Sequence, residues 1–61
     1  MESTTLRVWD LETSSDAVLV IRGTQGGLAL GFAVEANGDL DLSVPAADAR
    51  RLAGAIIAYL D

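Results

Sequence analysis

Leu28-Ala29-Leu30-Gly31-Phe32-Ala33-Val34-Glu35-Ala36-Asn37-Gly38-Asp39-Leu40-Asp41-Leu42-Ser43-Val44 is the stretch that decides the fold. Leu28, Leu30, Phe32 and Val34 alternate with small or acidic residues, and Leu40, Leu42 and Val44 alternate with Asp39, Asp41 and Ser43. Period-two alternation on both sides of an Asn-Gly predicts an antiparallel hairpin. A two-residue Asn37-Gly38 loop would set Val34 opposite Asp41 and Phe32 opposite Ser43, mixing apolar with polar side chains on one face. A three-residue loop, Ala36-Asn37-Gly38, avoids this by pairing Val34 with Leu40, Phe32 with Leu42 and Leu30 with Val44. Such a loop ends in a left-handed residue, so Gly38 is expected at positive φ.

Toward the N-terminus, Leu6–Leu11 reads as a first strand, with Leu6 and Val8 pointing one way and Trp9 and Leu11 the other. Glu12–Asp16 is a polar loop. Ala17–Arg22 is a second strand whose run Val18-Leu19-Val20-Ile21 predicts burial on both faces. Gly23-Thr24-Gln25-Gly26-Gly27 is a turn. It lacks the following Lys and the helix start that a phosphate-binding loop needs. Beyond the hairpin, Pro45 fits the first position of a helix, where its missing N–H costs nothing. Ala49, Leu52, Ala53, Ile56 and Leu60 form one apolar stripe, and Asp48 and Arg51 are spaced to pair weakly. The stripe is expected to cross Leu30, Phe32, Val34, Leu40 and Leu42. Residues 1–61 thus form a single small α+β domain: a four-stranded antiparallel meander, then one C-terminal helix packed on one face, ββββα.

Composition narrows the function. The 61 residues contain no Cys and no His, which removes disulfides, thiolate zinc sites, the commonest metal ligand and the commonest general base. Ser and Thr hydroxyls have no His, Cys or Lys to activate them. Paired carboxylates need a pocket to do acid–base work, and a sheet with one helix offers little depth. No enzyme, cofactor or metal is expected. Asp39-Leu40-Asp41 lacks the carboxylate spacing, the internal Gly and the closing Glu of a calcium loop. Four Arg against nine carboxylates give a net charge of −5. That charge argues against phosphate backbones and anionic membranes, and it favours basic partners. Apolar runs such as Ala17–Ile21 are far short of a membrane span, and the polar start lacks the pattern of a signal peptide. A cytoplasmic protein is expected.

Half of the residues (51%) are apolar, whereas a chain of this size buries only about 60% of its unfolded surface. Self-association is the economical way to hide the rest. Trp9, which cannot share a face with Leu6 and Val8, and the small residues Ala29, Gly31 and Ala33 are candidate contacts on the sheet. Gly54, Ile57, Ala58 and Tyr59 are candidates on the helix, where a mid-helix Gly suggests close approach. Glu35, Asp39 and Asp41 are expected on the face away from the helix, as an acidic ridge. Asp10 and Glu12 share a face of the first strand. Arg7, Arg22, Arg50 and Arg51 are candidate partners for these acids or for a second chain.

The ending Leu42-Ser43-Val44-Pro45-Ala46-Ala47-Asp48-Ala49-Arg50-Arg51-Leu52-Ala53 resembles the strand–Pro–helix tails of short proteins from GC-rich Gram-positive bacteria and their phages. The ββββα order resembles the dimeric single-stranded-DNA-binding domain of a transcriptional coactivator, without the basic and aromatic groove of such binders. The expectation is a small, acidic, non-enzymatic interaction protein, a homodimer that binds or regulates another protein. The alternative is an acidic mimic of nucleic acid that blocks a basic cleft. A third option, a nucleic-acid-binding dimer, needs the four Arg gathered on one face.

Overall fold

The computed structural model describes residues 2–35 and 38–60. Ser3–Asp10 (β1), Ser15–Thr24 (β2), Gly27–Val34 (β3) and Gly38–Pro45 (β4) form one antiparallel sheet in the order β1-β2-β3-β4. Ala46–Leu60 is the helix α1. The ββββα architecture is as the sequence predicts; the hairpin details differ in informative ways.

β1 starts earlier than expected and stops at Asp10, leaving Leu11 in the turn and 86% exposed. The Asp10 carboxylate explains the stop. It accepts the Glu12 backbone N–H at 3.0 Å and the Thr13 hydroxyl at 2.6 Å. The Thr13 and Ser15 hydroxyls lie 2.7 Å apart. An Asp that binds the backbone two residues on turns the chain before the strand can continue. Ser14 then takes a left-handed φ of 52° and closes the four-residue loop.

The second connection is tighter than expected. Gly23, Thr24 and Gly27 belong to strands, so that only Gln25-Gly26 remains as turn, with Gly26 at φ 90°. Gly27 has a separate requirement: a Cβ there would overlap the Val44 carbonyl oxygen. The helix is tied to this same turn, since the Ala46 N–H donates to the Gly26 carbonyl at 3.0 Å. One of the donors left free at a helix start is thereby satisfied. Pro45 closes β4 and stands one residue ahead of the helix rather than at its first position.

In the third hairpin Phe32 pairs with Leu40, Leu30 with Leu42 and Leu28 with Val44. This corrects the expected register by two residues. Val34 pairs with Gly38, and Gly38 takes the expected positive φ, 83°. A shift of two keeps every side chain on its face, so alternation alone cannot distinguish the two registers. The observed one pairs all eight residues of β4, from Gly38 opposite Val34 to Pro45 opposite Gly27. Ala36 and Asn37, part of the expected loop, lie outside the described residues.

Register and pleat define two faces. One carries Leu6 and Val8 from β1, Leu19 and Ile21 from β2, Leu30 and Phe32 from β3, and Leu40 and Leu42 from β4. Helix α1 packs chiefly against β3 and β4. Leu30, at 8%, is the best-covered large side chain, and Leu28 and Val44 beside it are half-buried. The helix therefore sits over this corner of the apolar face. Only Ala46 and Ala49 of the helix are half-buried, and every residue from Arg50 to Leu60 is exposed. The expected crossing over Leu40 and Leu42 is not made, for these are 63% and 49% exposed. Nor is β2 buried on both faces, since Val18 to Ile21 are each half-buried.

The surface area quantifies the deficit. A folded monomer of 6.3 kDa presents about 3,700 Å²; this chain presents 4981 Å². The radius of gyration is 12.5 Å, against roughly 10.5 Å expected for a compact domain of this length. The extents of 34 × 29 × 16 Å describe a slab. Among the described residues, Ala17, Ala29 and Leu30 are the buried apolar ones. Among the described residues no helix is long and apolar enough to cross a membrane.

Candidate functional site

The face away from the helix is a lattice of cross-strand rows. Trp9 stands opposite Asp16; Arg7, Val18, Ala33 and Asp39 form the next row; Thr5, Val20, Gly31 and Asp41 the next; Ser3, Arg22, Ala29 and Ser43 the last. Its centre is apolar and small, with acids along the β4 edge. Val18, Val20, Gly31 and Ala33 floor an open depression of about 280 Å³ whose rim includes Arg22, Asp39 and Asp41. Gly31 keeps the floor low: a Cβ there would stand 3.0 Å from an Asp41 carboxylate oxygen. A second open depression joins Trp9, Ser15, Asp16 and Glu35 at one end of the face.

The expected acidic residues are distributed accordingly. Asp39 and Asp41 share this face, as expected, and both are exposed. Glu35 lies in the turn beyond Val34, near Trp9 and Asp16 rather than in line with the other two. Asp16, which the alternation of the first hairpin did not single out, adds a fourth carboxylate. Asp10 and Glu12 do not form a ridge, because Asp10 is engaged in the turn and Glu12 belongs to it. The Thr13 hydroxyl, and next the Glu12 N–H, hold the Asp10 carboxyl below its ordinary value of 3.8. These bonds favour the charged form.

Arg7 and Arg22 lie on the same face as the acids, yet the only ion pair among the described residues is Arg51–Asp48, at 3.4 Å on the open side of the helix. Exposed pairs of this kind are worth less than about 1 kcal/mol. Arg7, Arg22, Asp39 and Asp41 are therefore free to meet another molecule. Among the described residues no cluster of three metal-ligating side chains occurs. The arrangement can receive a small apolar side chain or an extended backbone between groups of opposite charge. It contains no His, Cys or Lys to activate a hydroxyl.

Of the remaining candidates, the large side chains are all on the surface. Trp9 is 58% exposed, Ile57 57% and Tyr59 94%, so neither aromatic fills the core. Ala29 is buried between its register partners Arg22 and Ser43, whereas Ala33 is exposed. Gly54 has open space around it, and helical geometry puts it, with Arg50 and Ala58, on the side opposite Ile56. One further surface was visible in the sequence only as a surplus: the part of the apolar face beyond the helix, with Leu40, Leu42, Leu6 and Val8 all exposed. No protein-family model, curated protein or solved structure matches the chain.

Proposed function

We propose that this chain is an acidic, non-enzymatic interaction module that works in the cytoplasm as a homodimer and binds or regulates another protein. One observation carries the reading: the folded chain leaves about a third more surface in water than its mass requires. Much of that surplus is apolar, with Leu6, Val8, Leu40 and Leu42 on one sheet face. Exposed patches of this kind mark interaction sites. The two faces divide the work. The neutral apolar face suits a second copy, because two chains of charge −5 repel least where they carry no charge. The opposite face, with Asp16, Asp39 and Asp41, suits a basic partner.

Light scattering on the eluting protein across a series of concentrations tests the reading. The expected mass is twice 6.3 kDa; a single-chain mass at high micromolar concentration overturns the homodimer.

The adjacent Asp39 and Asp41 on an exposed edge strand favour a second reading, an inhibitor that imitates nucleic acid. Fluorescence anisotropy at low salt separates it from a nucleic-acid-binding dimer, since a mimic leaves labelled oligonucleotide unbound. The four Arg are divided between sheet and helix, which counts against the binding dimer.

A further inference from the structure

The helix and the sheet of one chain are each incomplete in a complementary way. Four strands spaced about 4.8 Å apart make a sheet roughly 19 Å wide, whereas one helix covers a lane of about 10 Å. A single helix therefore covers two strands. Here α1 meets β3 and β4 at the corner of Leu28 and Val44, and it leaves Leu6 and Val8 on the β1 edge exposed, as it leaves Leu40 and Leu42 on β4. The helix shows the matching excess. Its sheet-facing residues in the first turns are small, Ala46 and Ala49, and these are the ones half-buried. Its large apolar residues come later: Leu52 is 44% exposed, Ile56 52% and Leu60 80%. Fifteen residues are marginal as a free helix in water, so this half needs a surface to lie on.

Resting on the homodimer reading, we propose that a second copy of this chain lays the Leu52–Leu60 half of its helix over Leu6, Val8 and Leu19 of this sheet and receives this chain's helix on its own sheet in return. The exchange is reciprocal, as a two-fold axis requires. It places two helices on each four-stranded face, which matches the width. The area fits as well. The excess is about 1,200 Å² per chain relative to a monomer of this mass, and two chains together would bury about 2,500 Å². That lies in the range of obligate homodimers, 2,000–5,000 Å², and above the roughly 1,000 Å² that a specific interface must clear. Asp10, the carboxylate at the end of this face, is already bonded within its turn, so docking leaves no acid newly stripped of partners.

The absence of Cys makes the test clean. The double variant Val8→Cys/Ile56→Cys, oxidised at low concentration, is expected to run at doubled mass on a non-reducing gel. A disulfide that closes within one chain, leaving the mass single, means that the helix folds back on its own sheet and overturns the proposal. The wild-type protein gives an independent check. In a mixture of isotope-labelled and unlabelled chains, filtered nuclear Overhauser contacts between the Ile56 or Leu60 methyls and those of Leu6 or Val8 are expected across chains. A dimer by light scattering that lacks these contacts overturns the exchange and leaves the homodimer standing. A single-chain mass overturns both.

Discussion

Asp10 stands at the point where the chain first departs from simple alternation. Its carboxylate organises the Leu11–Ser14 turn through the Thr13 hydroxyl and the Glu12 N–H, and these bonds hold its pKa below 3.8. A group whose folded pKa is depressed contributes stability that is present above its unfolded value and is lost as pH falls through the folded value. Asp10 therefore stabilises the β1–β2 hairpin at neutral pH, and the contribution disappears below pH 3.8. Carbon-detected titration of the Asp10 carboxyl is expected to give a midpoint below 3.8. Asp10→Asn keeps an acceptor for the turn and removes the titration. Its melting temperature should decline less steeply than that of the wild type as the pH is lowered through this window. An Asp10 midpoint at or above the ordinary value would mean that the turn is not held by the charged form.

At the scale of elements, the reliability of each sequence signal follows from its period. Alternation assigned Leu28–Val34 of β3 and Asp39–Val44 of β4 to their faces, and that assignment holds. The same alternation is blind to a shift of two, and the register differs by that amount. The first hairpin was harder to read, because its boundary is set by a side chain, Asp10 to Thr13, and not by hydrophobic pattern; Asp followed three residues later by Thr was the available signal. Helical spacing identified α1 and its stripe, but no pattern within one chain states what a stripe will touch, and Leu52, Ile56 and Leu60 touch little. Gly54 is the instructive case. Its position in mid-helix suggested close contact, yet nothing lies within 4 Å of where its Cβ would be, and it faces away from Ile56. Gly54→Ala is thus expected to stabilise the protein by about 0.5–1 kcal/mol, the ordinary helix-interior difference. Urea unfolding at fixed chain concentration measures this, and the molecular mass should not change. A destabilised or dissociated variant would put another backbone against Gly54.

For the whole molecule, stability and association are the same problem. A folded monomer of 6.3 kDa usually exposes about 3,700 Å². With 4981 Å² in water and, among the described residues, three buried apolar ones, this chain alone holds little of the core that offsets the conformational entropy of folding. If a second copy supplies that core, unfolding is the conversion of one dimer into two free chains, and dilution drives it. A tenfold rise in concentration stabilises the dimer by about 1.4 kcal/mol. The unfolding entropy is about 2.1 cal/mol/K per residue, and it is summed over two chains of 61 residues. The melting temperature should therefore rise by about 5 °C per decade of concentration. Added salt should move it in the same direction, because each chain brings a charge of −5 and screening weakens the repulsion between copies. Differential scanning calorimetry across two decades of concentration provides the measurement. A melting temperature independent of concentration would mean that one chain folds without a second, and that the Leu6, Val8, Leu40 and Leu42 surface is tolerated in water or reserved for a different protein.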